Sequence, residues 1–379
     1  MNLNEIREKI NAVDEELVKL FIKRMELSRE VAEYKAEHKI PILNKVRERE
    51  ILSKVCEASG EELEIYTKML FTTLFEASRS YQNTLIHNTS FLKDAIAQGI
   101  EGAPKLFPIK GLVACQGIEG AYSQLAADKL FSIANIMYFK NFEGVFNAVE
   151  KGLCPFGILP IENSSYGSVN EVYDLIRHYN FHIVRSIKVR INHCLLGKPG
   201  TKLSDIKEIY SHEQAIGQCS QFLKERPDIK ITICENTAMA AKLVASSDRK
   251  DIAAISSNNC AGLYGLSIIS KEVQNSDNNY TRFICIAKEL TIYPGADRIS
   301  LMLSVPHEPG ALYSVISRFS ALGLNLTKLE SRPIPGSDFE FMFYFDFEAS
   351  VLRDEVVKLL SELSLESDLF IFLGSYSEV

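Results

Sequence analysis

No two of the eight cysteines (positions 56, 115, 154, 194, 219, 234, 260 and 285) stand in CxxC spacing. Neither a zinc site nor a disulfide framework is indicated, and reduced core thiols are expected. The first residues, Met1 to Glu8, are charged and lack an apolar core, which argues against a secretory signal. Long apolar runs are missing too. The longest uncharged stretch, Ile252 to Ser270, carries Ser256, Ser257, Asn258 and Asn259 near its middle, where hydrocarbon would penalise them, so no membrane span is expected. Positive charge is in deficit: 42 Lys and Arg against 49 Asp and Glu leave a net charge of −7. That excludes bulk nucleic-acid binding, which rests on phosphate neutralisation. An anionic substrate must be caught by local cations or helix N-termini, against the overall field. A cytoplasmic protein without metal or cofactor is the expectation.

What is present is ordinary globular composition, 46% hydrophobic and 24% charged, over 379 residues, enough for two or three domains. From Leu3 to His38 the pattern is helical. Ile6, Ile10, Val13, Leu17, Leu20, Arg24, Leu27, Val31 and Tyr34 alternate spacings of four and three, an unbroken heptad seam. A helix so long needs partners along its length, so a dimer sharing it is expected. Pro41 ends the run, Asn44 is placed to cap a second helix through Cys56, and a third amphipathic helix follows from Glu62. Residues 88–110 lose the period and read as a linker with Pro104 and Pro108.

From Gly111 the pattern changes to short apolar strands alternating with helices. Strands are expected at Leu112–Cys115, Gly157–Leu159, Ile183–Val189, Ile209–Tyr210, Ile231–Cys234, Ile252–Ile255 and Phe283–Ala287. That is α/β with a largely parallel sheet, in two lobes. Four turns lead from strands toward helices, at Gly117–Ser123, Glu162–Ser165, Ser211–Gln214 and Asn236–Ala238. Together they suggest a cleft lined with donors for an anion. After Pro294 the order strand 299–305, helix 309–322, strand 324–329, strand 339–347, helix 351–363 and strand 369–373 gives βαββαβ, an α+β ferredoxin-like order. The chain is therefore multidomain: an all-α unit over 1–90, an α/β unit over 111–290 and an α+β unit over 298–379.

Arg24 sits on the apolar seam, where a cation without an anion is costly. Lys35, eleven residues on, faces the same way, and Ser78 and Gln82 form an i, i+4 pair on the third helix. With Arg7, Arg47 and Glu48 these residues resemble the active-site set of the all-helical chorismate mutases, over Met1 to about Gln82. The resemblance implies an intertwined homodimer, with a tetramer left open. It implies that Arg24 and Arg7 of the partner subunit clamp the two carboxylates of chorismate, while Lys35 and Gln82 donate to the ether oxygen as its C–O bond breaks. Arg47 and Ser78 would support the substrate and Glu48 would receive its hydroxyl. Asn44 stands on the substrate side where the family commonly carries Asp.

From Gly111 to Glu289 the motifs GxxGAYS at Gly117, PIENSSYGS at Pro160, SHEQA at Ser211, NTA at Asn236 and NxTRF at Asn279 resemble prephenate dehydratase. This implies two lobes enclosing the substrate, as in some periplasmic binding proteins, with Thr281 as the catalytic residue. Ser123, Asn163, Ser164, Gln214 and Thr237 would orient prephenate. Arg282 would anchor a carboxylate or sit in a structural ion pair, and Glu162, if protonated, would be an alternative acid. Glu213 replaces a frequent Pro. In the last unit, Gly310, Ala311 and Leu312 at a helix start, with Glu330, Ser331 and Arg332 leaving a strand, resemble the phenylalanine-binding marks of the ACT domain, with Tyr313 where Val is frequent. The expected reading is a bifunctional enzyme converting chorismate through prephenate to phenylpyruvate, with phenylalanine as effector. Two alternatives stand beside it: arogenate as the second substrate, or a non-catalytic aromatic-metabolite sensor.

Overall fold

The computed structural model describes residues 2–86, 91–334 and 341–379. Three helices open the chain: α1 (Leu3–His38), α2 (Lys45–Ser59) and α3 (Glu64–Ile86). Asn2 starts α1 with a capping box, its Oδ1 accepting from the Glu5 amide at 3.0 Å while the Glu5 carboxylate accepts from the Asn2 amide at 3.1 Å. Lys39, at φ 53°, closes it in the left-handed conformation. Thirty-six residues at 1.5 Å make α1 about 54 Å long. The face that α1 turns to α3 buries only Ser28 and Ala32. The heptad seam is not covered within the chain: Ile10, Leu17 and Leu20 are 52%, 53% and 62% exposed.

Residues 91–101 are not a linker. They form α4 (Phe91–Glu101), which buries Ile96 among residues of the last unit, and the Ile292 amide donates to Gly99 O at 3.0 Å. The stripe Leu92, Ile96 and Ile100 is helical, but it spans only eleven residues and stands just ahead of Pro104 and Pro108. The expected start of the linker, residues 88–90, lies outside the described residues.

The α/β unit has two lobes. The first contains β1 (Lys110–Gln116), α5 (Tyr122–Leu130), β2 (Ile133–Phe139), α6 (Phe142–Glu150), β3 (Phe156–Asn163), β4 (Gly167–Ser168), α7 (Asn170–Tyr179) and β5 (His182–Arg190). The chain then crosses into β6 (His193–Gly197), β7 (Glu208–Ser211), α8 (Glu213–Gln218), α9 (Ser220–Lys224), β8 (Lys230–Ile233), α10 (Thr237–Ser246), β9 (Ile252–Ser257), α11 (Asn258–Tyr264) and β10 (Ser267–Ser270). It returns to the first lobe as β11 (Tyr280–Ala287), giving sheet orders β2-β1-β3-β11-β5 and β10-β6-β9-β7-β8. In each sheet order four strands run in one direction, and the strand that enters by a crossover, β11 in the first sheet and β6 in the second, runs against them. The strands β2, β6 and β10 were not expected: β2 is largely exposed, and β6 is a short apolar run just after a crossover. The uncharged stretch from Ile252 folds as β9, α11 and β10, and among the described residues no helix is long and apolar enough to cross a membrane.

The last unit is β12 (Arg298–Ser304), α12 (Ala311–Ala321), β13 (Asn325–Pro333), β14 (Phe341–Glu348), α13 (Asp354–Glu366) and β15 (Phe370–Tyr376), a βαββαβ order with sheet order β13-β14-β12-β15. Phe339, expected to start the third strand, lies outside the described residues. One face of this sheet is covered by α12, α13 and α4. The other sends Met302, Met342, Tyr344 and Tyr376 into one core with Ile161, Tyr173, Ile183 and Ile284 of the first lobe. Helix α13 also meets α3: Glu362 accepts from Thr84 Oγ1 at 2.8 Å and Glu366 from Asn83 Nδ2 at 2.8 Å.

At this junction Gly374, φ +141°, lies against the backbone of Ile183, and a Cβ there would collide with the Ile183 carbonyl. Neither the conformation nor the space suits another residue. Gly374→Ala is expected to destabilise the protein by about 2 kcal/mol. A lower thermal midpoint, with faster proteolysis between β11 and β12, checks this.

Candidate active sites

The helical site sits where α1 and α3 face each other. Arg24 Nη1 donates to Leu74 O at 3.0 Å and to the Ser78 hydroxyl, and its guanidinium lies 5.7 Å from the Phe75 ring centroid. Lys35 donates to Ile42 O, which folds the connection to α2 back over the helix. Glu48 on α2 is paired with Arg79 on α3. Gln82 is buried, and its Oε1 has no hydrogen-bond partner. Burial lowers the pKa of both Arg24 and Lys35, and the nearby Glu48 carboxylate opposes that. The result is a half-buried cluster with more positive than negative charge and an unpartnered amide oxygen. Asn44 caps α2, its Oδ1 accepting from the Arg47 amide at 3.0 Å.

Two expected members are elsewhere. Arg47 is exposed and pairs with Glu50 at 3.2 Å, because α2 turns that position to solvent and Arg79 takes the inward place. Arg79 was missed; its position one residue past Ser78 hid that it faces α2 rather than α1. Arg7 is exposed and lies seventeen residues before Arg24 on one helix, about 26 Å along its axis, so one chain cannot bring the two together.

The second site is a cleft of about 630 Å³ between the two lobes. Ser123, Asn163, Gln214, Thr237 and Thr281 all line it. The N-termini of α5, α6, α8 and α10 open into it, three of them capped by Asn141, His212 and Asn236. The expected helix start at Glu162–Ser165 is instead the β3–β4 hairpin, and α6 supplies the fourth helix end.

The hydrogen bonds around Thr281 make its hydroxyl an acceptor from Asn163. Asn163 Oδ1 accepts from the Ser165 and Tyr166 amides at 2.9 and 3.0 Å, so its Nδ2 must point the other way. That Nδ2 donates to Asn279 Oδ1 at 3.0 Å and to Thr281 Oγ1 at 2.9 Å. Thr281 Oγ1 is thereby an acceptor from Asn163, and its own proton is free to donate. Ser123 Oγ donates to Gln116 O at 2.6 Å and holds the turn that opens α5.

Three expected cleft residues are not there. Strand neighbours point to opposite faces, and Thr281 pairs with Asn163 while Arg282 pairs with Glu162. Arg282 and Glu162 therefore face the last unit. Arg282 forms a buried ion pair with Asp346 on β14, and lies 3.6 Å from Glu162. Desolvation works against the Arg282 charge, and the adjacent Asp346 carboxylate more than reverses it, so its pKa is raised. Glu162 is 3.2 Å from Lys328 Nζ and so lies between two cations on the side away from the cleft, out of reach of a bound substrate. Ser164 braces the hairpin, donating to Asn278 O at 3.1 Å and accepting from the Tyr280 amide at 2.9 Å.

Sequence reasoning missed other cleft residues. Lys140, 3.5 Å from Glu235 across the lobes, is the one Lys or Arg among the described residues lining the cleft. It follows the unrecognised strand β2. His193, 2% exposed, shares a hydrogen bond of 2.7 Å with Gln218 and stands at the first crossover. Tyr166 reaches over the cleft mouth toward Gly217, where a Cβ would collide with its hydroxyl.

In the last unit β12 and β13 are both antiparallel to β14, so they run parallel and end at one edge, where Gly310, Ala311 and Leu312 also start α12. Glu330 and Arg332 alternate toward the α/β unit, on Ser168 at 2.9 Å and Asp174 at 3.0 Å, while Ser331 faces away. The six expected effector residues thus share an edge, but two of the side chains are engaged elsewhere.

A helical, cation-bearing site and a two-lobed cleft rich in helix N-termini define a two-site enzyme acting on small anions. Family models match accordingly: chorismate mutase type II over residues 6–83 and prephenate dehydratase over residues 113–291. The bifunctional chorismate mutase/prephenate dehydratase of Escherichia coli (strain K12) is 33% identical over 382 residues, covering 98% of this chain and 95% of that protein. Arogenate dehydratase/prephenate dehydratase 2 of Arabidopsis thaliana is 37% identical over 276 residues, 70% of this chain and 72% of that protein. A solved prephenate dehydratase from Arthrobacter aurescens, in complex with L-Phe, superposes with a TM-score of 0.65 at 28% identity, covering 70% of this chain and 90% of that one. The chain belongs to the bifunctional chorismate mutase/prephenate dehydratase family.

Burial lowers the pKa of His193, and likewise of His182 and His212, below the ordinary imidazole value of 6.5. The unfolded chain takes up protons near 6.5 while the folded chain stays neutral. Stability is therefore fully present above that value and is lost as pH falls below it toward the folded values. A thermal midpoint that is level above about pH 7 and falls by about pH 5 is expected, with a shallower fall in His193→Gln. Melting across that range checks it.

Proposed function

We propose that the residues gathered in the two sites carry the two family reactions in sequence, chorismate to prephenate and prephenate to phenylpyruvate. In the first, an ether C–O bond breaks as a C–C bond forms, and negative charge grows on the oxygen. Arg24 holds a carboxylate and keeps the compact conformer. Lys35, together with Gln82 turned so that its amide nitrogen faces the substrate, donates to the ether oxygen. Proximity and electrostatic stabilisation suffice, with no nucleophile. The exposed seam of α1 supports a homodimer in which Arg7 of the partner subunit supplies the second carboxylate contact.

In the second reaction the C–C bond to the ring carboxylate breaks, carbon dioxide departs, the bonding electrons enter the ring, and hydroxide leaves from the opposite carbon, taking a proton from solvent to become water. Thr281 donates a hydrogen bond that strengthens on the departing oxygen, a task that suits a hydroxyl whose pKa is too high for full proton transfer. The observation that supports this reading is the 2.9 Å bond from Asn163, which makes the Thr281 oxygen an acceptor and leaves its proton free to donate. Lys140 and the helix N-termini receive the two carboxylates. Arogenate is a second reading, favoured by Glu171 and Glu235 in the cleft wall, which suit an ammonium where prephenate has a keto group. The last unit acts as an ACT-type phenylalanine sensor with a ferredoxin-like fold, binding at the edge that carries Gly310 and Ser331 and favouring a less active state.

Purified protein given chorismate should consume it and form phenylpyruvate, more slowly with phenylalanine added. Thr281→Ala should lower dehydratase kcat about a hundredfold with mutase kcat unchanged, and Lys35→Ala should do the reverse. Equal loss of both activities in either variant would overturn the assignment. Comparing kcat/KM for prephenate and arogenate decides between the two substrates.

A further inference from the structure

On the reading that Thr281 serves the dehydratase step, we infer that Arg282 is a positioning residue for that step. The C-terminal unit completes the dehydratase site by holding Arg282 through Asp346. Thr281 and Arg282 are consecutive on β11, so a twist or slide that moves one moves the other. Thr281 looks into the cleft and Arg282 looks away, so the guanidinium cannot touch the substrate. It can only fix the strand that presents the threonine.

The acceptor is built rigidly. The Arg282 and Asp346 side chains are 9% and 3% exposed. Arg282 Nη2 donates to Asp346 Oδ2, and the other carboxylate oxygen accepts from Ser300 Oγ. Ser300 in turn is 2.6 Å from the Tyr376 hydroxyl and accepts from the Tyr344 hydroxyl at 3.1 Å. Asp346, Ser300 and Tyr376 lie on three strands of the C-terminal sheet, so the carboxylate cannot follow β11 if β11 shifts.

The same sheet also ties the β3–β4 hairpin beside β11. Lys328 Nζ donates to Ser168 Oγ at 2.8 Å, and Ser168 Oγ donates to Glu330 at 2.9 Å. Ser168 lines the cleft. Lys328 also lies 3.2 Å from Glu162, the neighbour of Asn163, which binds Thr281. Each of Thr281, Asn163 and Ser168 is thus backed by a contact from outside the dehydratase lobes.

The test uses the full-length chain, with mutase turnover of chorismate as the control for folding and prephenate turnover as the readout. Asp346→Asn is expected to lower the prephenate kcat by about tenfold to a hundredfold, with KM within about twofold and the mutase rate unchanged. Arg282→Lys, which keeps a cation toward Asp346, should recover part of the kcat lost in Arg282→Met. The double variant Arg282→Met/Asp346→Leu keeps the boundary packed without an unpaired charge, and covers the case in which a single variant fails to fold. Its expected outcome is a normal thermal midpoint with a low prephenate kcat. An unchanged prephenate kcat in Asp346→Asn, or a double variant with parental kcat, would overturn the inference, because docking without the ion pair would then suffice. A parent protein that turns over chorismate but not prephenate would instead overturn the reading of Thr281.

Discussion

The structure turns on a geometric constraint: neighbouring residues of a strand cannot face the same way. On β11 the constraint sends Thr281 to the cleft and Arg282 to the C-terminal unit, and on β3 it separates Asn163 from Glu162 in the same manner. Two adjacent pairs in the sequence therefore do two different jobs. One member of each pair builds the cleft, and the other builds the boundary that keeps the cleft in place. The antiparallel direction of β11 follows from the chain's path, since it leaves the first lobe at β5 and returns after completing the second sheet.

The boundary itself mixes a large apolar core with a buried ion pair. Apolar burial is non-directional and supplies adhesion, and the shared cluster around Tyr173, Tyr344 and Tyr376 supplies it here. A buried charge pair adds little net stability, yet removing one partner costs about 3–5 kcal/mol because the other is stranded. Arg282 and Asp346 therefore act less as glue than as register marks: apolar faces could slide by a residue, but the pair cannot. The hydroxyls of Ser300, Tyr344 and Tyr376 complete the carboxylate's shell and make the register unique.

Periodicity made the long elements legible. The heptad seam marked α1 and the cap at Asn44 the start of α2, and the βαββαβ order of the last unit could be read from its apolar runs. The residues that reached the cleft as expected, among them Thr237 and Thr281, sit at strand-to-helix turns or strand starts, where local sequence governs direction. What escaped was set by partners distant in the chain. Arg282 reads equally as a substrate anchor or as half of a structural ion pair until Asp346, 64 residues later, is seen to hold it. Lys140 was hidden because β2 is an exposed edge strand without strong alternation, so the helix start after it went unseen. Helix α4 was too short to declare itself beside two prolines, and its reason for forming is a core contributed by residues some 200 positions away.

The two sites also show how an acidic chain can receive anions by two different devices, and why each device belongs to its architecture. Between parallel-lying helices every interior backbone N–H is already spent on its i−4 carbonyl, so only side chains can meet a carboxylate. The helical site is accordingly supplied with Arg24, Lys35 and Arg79 against the single Glu48. In the cleft the side-chain charge runs the other way, with Lys140 facing Glu171 and Glu235. There the α/β winding turns the first turns of α5, α6 and α10 toward the opening, and their unspent N–H groups carry the partial positive charge that the side chains lack. The net charge of −7 is thus compatible with both proposed substrates, because neither site depends on the field of the whole molecule. It also confines recognition to anions small enough to sit within one turn of a helix end or one guanidinium, since a longer polyanion would meet the acidic surface beyond.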